Sequence, residues 1–325
     1  MTGDDFDGLS TEHLRALYRK LVLLRRFEDR VYHLFLQGEL AGTLHQYQGQ
    51  EAVAVGVCDN LETTDWITST HRPHGHALAK GVSSRAAMAE LYGKQTGCCR
   101  AKGGSMHFGD PEVGMLPAIA IVGGGNTVVT GLGLAFKLRR SSQVAVCFFG
   151  DGATNEGAFH EGLNFAAVQQ LPIVFVCENN LYGASTAYHQ VSPVKDVAER
   201  AAAYRVPAQV VDGMDVLAVR RATAQAVAAA REGKGPTLLE CKTYRFTGHS
   251  RSDARGYRSK AEEAEWLAKD PIPGLGKKLV AAGRCSEADL AALDEQVVAE
   301  LDDAVEFSRQ SPDPTPAQAY EDVLI

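Results

Sequence analysis

Two polar segments, each directly after an apolar run, carry residue types that bind metal ions. Gly150-Asp151-Gly152 follows the run Val144–Phe149, and Asn179-Asn180 closes the run that begins at Ile173. Ligands of α/β proteins bind at the carboxyl ends of parallel strands, so Asp151 and Asn180 are expected to lie side by side. Alone, Asp151 is typical of a turn and Asn180 of a strand end. Together, at the ends of adjacent predicted strands, they favour a ligand site.

The surroundings of Asp151 indicate a phosphate ligand held through a cation. The flanking glycines let a ligand approach the backbone, and the N-terminus of the following predicted helix attracts an anion. Asp151 would repel a bare phosphate, and a divalent cation between them removes that conflict. Mg²⁺ takes oxygen ligands from few protein groups and completes its shell with phosphate and water.

Histidines are concentrated in polar stretches outside these strands. Histidine suits proton transfer because its ordinary pKa of about 6.5 lies near working pH. His71, His74 and His76 are spaced like a zinc cluster, but no cysteine or carboxylate nearby completes a tetrahedral set. His45 and His249 stand alone in the sequence, and a lone histidine is more often structural than catalytic.

These segments resemble the thiamine diphosphate motif. More narrowly, they are similar to the alpha subunits of the thiamine-dependent first component of 2-oxo acid and acetoin dehydrogenase complexes. The resemblance rests on Gly150–Gly157 (GDGATNEG) and Cys177–Gly183 (CENNLYG), and it extends from about residue 11 to 310. It implies that Asp151, the Asn180 side chain and the Tyr182 carbonyl hold Mg²⁺. It also implies that Gly152 and Ala153 contact the diphosphate through backbone amides.

Further blocks extend the resemblance. Within Ile67–His76, it implies that Arg72 meets the diphosphate and that His71, where many relatives carry tyrosine, lines the cofactor site. Ala120–Gly123 matches a segment that packs on the aminopyrimidine ring, with Ala120 and Val122 as contacts. His45 and His249 align with family histidines near the substrate, as candidates for proton transfer or charge stabilisation. The resemblance gives no role to His74, His76 or Gly103-Gly104-Ser105, and Asn126-Thr127 departs from the family's usual proline.

The resemblance implies an enzyme that cleaves acetoin or pyruvate and passes the acetyl group to a lipoyl-bearing acyltransferase component. The family's thiamine-activating glutamate comes from a beta-type chain, so an α2β2 heterotetramer is expected. Ser69–His76 favours acetoin and Gly248–Asp253 resembles the pyruvate branch, which leaves acetoin narrowly ahead. A branched-chain 2-oxo acid is an alternative. In some relatives the serine after the loop histidine is phosphorylated, which makes Ser250 and Ser252 candidates.

Two other classes of function stay open on the residues. A nicotinamide-binding Rossmann oxidoreductase would need GxGxxG between a strand and a helix, and Gly123-Gly124-Gly125 lacks the third spaced glycine. A non-catalytic scaffold subunit would keep the fold and lose the chemistry. The joint presence of Asp151, Asn180, His45 and His249 argues against it.

The elements that must position these residues predict an α/β fold with a parallel sheet flanked by helices, which by resemblance is the thiamine diphosphate-binding fold. Apolar runs predict strands over 144–149, 173–177 and 236–243. Apolar periodicity predicts helices over 11–36, 215–231 and 286–307, with another between the first two strands. A shorter helix over 197–204 is expected to begin at Ser192 and Pro193. Ser69–Phe108 and Phe246–Lys260 are expected to be functional loops. We expect one domain over 1–310 and a proline-containing tail over 311–325.

Composition excludes several classes of protein. The 325 residues carry a net charge of −7, which argues against nucleic acid as the main partner. No apolar run approaches the roughly 20 residues of a membrane span. Met1–Gly8 is acidic and lacks an apolar signal core. The 7 cysteines contain no CxxC pair, as in reduced cytoplasmic proteins, so a cytoplasmic location is expected.

Overall fold

The computed structural model describes residues 6–322, and a five-stranded parallel sheet forms its centre. The strands along the chain are β1 (Trp66–Thr68), β2 (Ala145–Gly150), β3 (Ile173–Asn179), β4 (Tyr182–Gly183), β5 (Thr186–Ala187), β6 (Ala208–Asp212) and β7 (Thr237–Lys242). The central sheet has the order β1-β2-β3-β7-β6, and β4 and β5 form a separate antiparallel hairpin. The predicted strands β2, β3 and β7 are confirmed.

Helices cover both faces of the sheet. They are α1 (Thr11–Leu36), α2 (Glu51–Cys58), α3 (His74–Lys80), α4 (Ser84–Leu91), α5 (Gly124–Arg139), α6 (Gly157–Val168), α7 (Tyr188–Val191), α8 (Val216–Arg231), α9 (Lys260–Leu267), α10 (Pro271–Ala281) and α11 (Glu287–Gln310). Along β2, Val146 and Phe148 belong to one apolar core, while Cys147 and Phe149 belong to the other. A strand buried on both faces is apolar at nearly every position, which explains the continuous run in the sequence. The predicted α/β class is confirmed.

Local capping explains where the longest helices begin. The Ser10 side chain accepts a hydrogen bond from the His13 amide at 3.2 Å and caps α1. Ser286 and Asp289 form a reciprocal capping box at the start of α11, as the sequence predicts. Residues of α11 that repeat at helical spacing, such as Leu293 and Val297, turn into the core.

Two sequence predictions are wrong in detail. Residues 197–204 form a 3₁₀ helix that Asp196 caps, because Glu199 three residues later completes the capping box. Ser192 instead donates to the Val194 carbonyl at 3.1 Å. The stretch 69–108 is no long loop, since α3 and α4 lie within it. The other predicted loop, 246–260, has no regular element before α9 begins at Lys260.

The residues after α11 lie against the segment between α4 and α5. Lys94 pairs with Asp313 at 2.6 Å, and Lys102 pairs with Asp322 at 2.7 Å. Residues 1–5 of the acidic start lie outside the described residues, and so do residues 323–325 of the predicted tail. No helix in the described part of the chain is long and apolar enough to cross a membrane.

Candidate cofactor and metal site

A cavity of about 540 Å³ opens at the carboxyl edge of the sheet. The parallel register pairs Gly150 with Glu178, so the residues that follow β2 and β3 emerge together. All the cofactor, metal and catalytic residues that the resemblance implies line this cavity: His45, His71, Arg72, Ala120, Val122, Asp151, Gly152, Ala153, Asn180, Tyr182 and His249. The fold therefore brings together segments that are up to two hundred residues apart in the chain.

Asp151 and Asn180 present buried oxygens that lack partners. Asp151 is 1% exposed and Asn180 is 8% exposed. Among residues 6–322, neither carboxylate oxygen of Asp151 nor the Asn180 Oδ1 has a hydrogen-bond partner. The Asn180 Nδ2 donates to the Gln50 Oε1 at 3.0 Å, which fixes the amide and leaves its oxygen free. Buried polar atoms are almost always paired, so these oxygens mark a place for a ligand.

Burial shapes the electrostatics of Asp151. Desolvation raises the pKa of its carboxyl group to about 6, against the opposing effect of the Arg245 charge. A cation beside the carboxylate would supply the charge compensation that the surrounding residues give only in part. Carboxylate and amide oxygens are the donor set that Mg²⁺ takes. The residues present therefore fit a hard divalent cation.

The backbone of the turn after β2 packs closely against the backbone of β4. A Cβ atom added to Gly152 would lie 3.1 Å from the Cα of Gly183 in β4. The Tyr182 hydroxyl donates to Glu262 at 2.9 Å, and the Tyr182 ring lies against the Arg258 guanidinium. Both the turn after β2 and strand β4 line the cavity.

Three imidazoles gather at the cavity. The ring centroid of His45 lies 4.8 Å from that of His71 and 5.0 Å from that of His249. Burial, aided by the Arg72 charge, lowers the pKa of His45 to about 3, of His71 to about 2 and of His249 to about 4. All three rings are therefore neutral at physiological pH.

The proton of His249 can be assigned to one nitrogen. Arg245 Nη1 lies 3.0 Å from His249 Nδ1, and a guanidinium can only donate. His249 Nδ1 is thus the acceptor, and the neutral ring carries its proton on Nε2. The Nδ1 of His45 is buried and has no partner within the described chain. The pair offers one protonated and one unsatisfied ring nitrogen to a ligand.

His74 and His76 do not join this group. Both are fully buried in α3. His74 bonds Glu28 and Ser105, each at 3.0 Å, while His76 bonds Ser69 at 2.7 Å and Glu178 at 3.0 Å. These two histidines tie α3 to α1, to the sheet and to the segment that holds Ser105. The three histidines that are spaced like a zinc cluster are therefore divided in the fold, because His74 and His76 form core hydrogen bonds and His71 lines the cavity.

Arg72 lines the cavity and links two of the segments around it by hydrogen bonds. Its two terminal nitrogens donate to the carbonyls of Gln46 and His249, the latter at 2.8 Å. Two apolar residues that also line the cavity are strongly exposed: Ile121 is 77% exposed and Val122 is 51% exposed. Apolar side chains this exposed at a cavity mouth indicate that the wall is incomplete within this chain.

Sequence reasoning missed Arg245 and the supporting role of Gln50. Arg245 is 1% exposed, lines the cavity and acts on both Asp151 and His249. Its signal was available, because it follows the strand predicted over 236–243 and so lies at the same sheet edge. The role of Gln50 depends on its hydrogen bond to Asn180, and only the folded chain places these two residues side by side.

Buried oxygens that can bind a metal lie beside neutral histidines at the carboxyl edge of a parallel sheet. This arrangement is typical of a cofactor-dependent α/β enzyme. The chain belongs to the dehydrogenase E1 component family, whose model matches residues 19–317. That family depends on thiamine diphosphate. The resemblance stated from the motifs is thereby confirmed.

Curated relatives match along nearly the whole chain. The chain is 48% identical to the alpha subunit of an acetoin:2,6-dichlorophenolindophenol oxidoreductase of Bacillus subtilis, over 98% of this chain and 96% of that protein. It is 42% identical to the subunit of the same name in Cupriavidus necator, over 98% and 96%. It is 44% identical to the chloroplastic pyruvate dehydrogenase E1 component subunit alpha-3 of Arabidopsis thaliana, over 97% of this chain and 75% of that protein.

Proposed function

We propose that this chain is the alpha subunit of a thiamine diphosphate-dependent dehydrogenase that cleaves acetoin or pyruvate and transfers the acetyl group to a lipoyl acceptor. The observation that carries the proposal is the set of unpartnered buried oxygens of Asp151 and Asn180, within the described chain, at the edge of the sheet. Acetoin is favoured over pyruvate because the relatives from Bacillus subtilis and Cupriavidus necator are named for acetoin. The branched-chain 2-oxo acids are the second candidate substrates.

Mg²⁺ is the proposed metal, held by the Asp151 carboxylate, the Asn180 Oδ1 and the Tyr182 backbone carbonyl. Gly152 and Ala153 follow Asp151 directly and offer backbone amides to the diphosphate. Arg72 and Arg245 place two positive charges on the same cavity. Ala120 and Val122 form the wall for the aminopyrimidine ring. When bound, thiamine diphosphate supplies a nucleophilic carbon and an electron sink for breaking a bond beside a carbonyl.

His45 and His249 are the proposed catalytic residues. His249 offers its Nε2 proton to a developing negative charge on a substrate oxygen, because Arg245 occupies its other nitrogen. His45 retains an unsatisfied Nδ1 that can accept or donate a proton. His71 and Arg72 line the cofactor part of the cavity. The low pKa values of these histidines keep the rings neutral, so they do not compete with Mg²⁺ for the diphosphate.

A beta-type subunit is the proposed partner, in an α2β2 heterotetramer, since the acetoin relatives are themselves named as alpha subunits. Two features of this chain support an adjoining surface. Ile121 and Val122 leave the cavity wall exposed, and Val128, Leu138, Phe165 and Val168 leave apolar side chains exposed on α5 and α6. The lipoyl group would belong to a separate acyltransferase component. A cytoplasmic location is proposed, which the free state of all the cysteines fits.

The test is co-expression with the beta-type chain, followed by assays with acetoin, pyruvate and branched 2-oxo acids and an artificial electron acceptor. The proposal predicts activity that needs both chains, Mg²⁺ and thiamine diphosphate, with acetoin preferred. Asp151→Ala is expected to abolish cofactor binding in that complex. Unchanged activity in this variant would favour a scaffold subunit. Full activity of this chain alone would overturn the heterotetramer, and saturable binding of NADH would favour a nicotinamide enzyme.

A further inference from the structure

Two adjacent cysteines lie outside the cofactor cavity, in the segment that follows α4. Cys98 and Cys99 are partly exposed, whereas Cys58, Cys147, Cys177, Cys241 and Cys285 are buried. The two thiols and the Glu90 carboxylate lie within 4.8 Å of one another. The pair is therefore the most accessible group of thiols in the chain.

Glu90 is already occupied, so this cluster is no metal site. Its Oε1 accepts from the amides of Gly103 and Gly104 at 2.8 and 3.0 Å. Its Oε2 accepts from the amides of Cys99 and Ala101 at 2.9 and 3.0 Å. Four backbone donors satisfy the carboxylate. The Cys99 thiol donates only weak hydrogen bonds, to the carbonyls of His107 at 3.3 Å and Gly109 at 3.4 Å, so the two thiols are the reactive groups of the cluster.

The two thiols are unequal. Cys99 has a lowered pKa, chiefly because the Cys98 thiol hydrogen-bonds to it. The same hydrogen bond, with burial, raises the pKa of Cys98. The two sulfur atoms are close enough for one to displace a group from the other, and the lowered pKa of Cys99 favours Cys99 as the first nucleophile.

We propose that Cys98 and Cys99 form a redox-active vicinal dithiol that a hydroperoxide oxidises to a disulfide and that an external dithiol reduces back to two thiols. In the first step the Cys99 thiolate attacks the peroxide, the O–O bond breaks, and Cys99 sulfenic acid and an alcohol or water form. In the second step the Cys98 sulfur attacks the Cys99 sulfur, and water leaves with the Cys98 proton. The two sulfurs together lose two electrons, and the peroxide gains them.

The geometry of neighbouring residues makes this disulfide easy to reduce. Consecutive Cα atoms lie about 3.8 Å apart, whereas disulfides usually join Cα atoms about 4.4–6.8 Å apart. A bond that forms across the shorter distance is strained, and strained disulfides have more oxidising potentials. The bond is therefore suited to reversible regulation and not to permanent cross-linking.

The segment connects the thiols to the cofactor cavity. Arg100 and Ala101 have positive φ angles of 53° and 68°, which the four hydrogen bonds to Glu90 hold in place. A few residues further on, Ser105 bonds His74 at 3.0 Å and Met106 lines the cavity. Closing a ring between Cys98 and Cys99 twists the peptide whose amide donates to Glu90. The disulfide is thus expected to loosen the path from Glu90 to Met106.

The test is mass spectrometry of the full-length chain after treatment with hydrogen peroxide and then with a thiol-alkylating reagent. Trypsin cuts after Lys94 and Arg100, so one peptide, residues 95–100, contains both thiols and no other cysteine. We expect this peptide to lose two hydrogen atoms and both alkylation sites while the buried cysteines still alkylate. Dithiothreitol should restore both sites.

Two variants distinguish the roles of the thiols. In Cys98→Ser, the sulfenic acid of Cys99 should persist and react with dimedone, and in Cys99→Ser residue 98 should stay reduced. Hydrogen exchange at the amides of residues 99, 101, 103 and 104 should speed up at least several-fold in the oxidised wild type. The proposal is overturned if peptide 95–100 still alkylates twice when buried cysteines are oxidised, or if Cys98→Ser gives no dimedone adduct. Unchanged hydrogen exchange at the four amides that donate to the Glu90 carboxylate would refute the link between the thiols and the cavity.

Discussion

The Gln50→Met substitution is expected to weaken Mg²⁺ binding while the chemical step stays nearly intact. Gln50 is 1% exposed, and its Oε1 accepts the Asn180 amide proton at 3.0 Å. Methionine keeps the length of the side chain and replaces the amide oxygen by a thioether sulfur, which is only a weak acceptor. Asn180 Nδ2 then has no strong partner to hold it, and the amide oxygen is free to rotate away from Asp151.

The size of the effect follows from the role of this hydrogen bond. A typical buried hydrogen bond contributes about 1 kcal/mol. Loss of a residue that orients a metal ligand lowers metal affinity about 10–100-fold, or about 1.4–2.8 kcal/mol. We therefore expect the dissociation constant for Mg²⁺, at saturating thiamine diphosphate, to rise about 10–100-fold. The kcat at saturating Mg²⁺ should change by less than about threefold, because Gln50 holds the ligand and not the reacting atoms.

The assay is a Mg²⁺ titration of the reconstituted complex, in which binding is measured by calorimetry and turnover by enzyme activity. Gln48→Met is the matched control, because Gln48 lies in the same segment but bonds Asp29 at 2.6 Å, away from the cavity. This control should bind Mg²⁺ like the wild type. The reasoning is refuted if Gln50→Met binds Mg²⁺ normally, or if kcat falls while the affinity stays unchanged.

Three further predictions concern packing and titration. Gly75→Ala would place a Cβ atom 2.1 Å from the Tyr47 ring, so the free energy of unfolding should fall by about 1–3 kcal/mol in a denaturant melt. Gly274→Ala in α10, where the described chain has nothing within 4 Å, should be neutral or gain up to about 1 kcal/mol, and equal melts for the two variants would contradict the packing. His45 has a pKa of about 3 in the folded chain against about 6.5 unfolded, so the unfolded state takes up its proton first as pH falls. Wild-type stability should therefore drop from pH 7 to pH 5 more steeply than that of His45→Gln, and parallel curves would exclude a buried neutral ring. Arg245→Gln removes a charge that helps to lower the pKa of His249 from its ordinary value to about 4, so that pKa should rise in an NMR titration, and an unchanged value would refute the assigned contact.

The part of the site that the sequence predicts best is the edge of the sheet. Strands β2 and β3 are buried on both faces, so their apolar runs are continuous and the polar residues that end them stand out. Asp151 and Asn180 follow from that pattern and from the parallel register. The family motifs added His71, Arg72, Ala120 and Val122, which periodicity alone does not distinguish.

What the sequence does not predict depends on contacts between distant segments. His74 and His76 interrupt the apolar pattern of α3, so the helix is hidden, and their partners Glu28 and Glu178 come from elsewhere in the chain. Strand β6 is exposed at most positions and has no apolar run. Arg245 stands near the end of a predicted strand, but its charge acts on Asp151 only because β7 pairs with β3, and no local pattern encodes that pairing.

The most direct test of the central idea is anomalous diffraction from crystals of the two-chain complex grown with Mn²⁺ and thiamine diphosphate. We expect one strong manganese peak within coordination distance of an Asp151 carboxylate oxygen and the Asn180 Oδ1, between these side chains and the diphosphate. A manganese peak elsewhere, or an ordered diphosphate in this cavity with no metal between it and Asp151, would contradict the account.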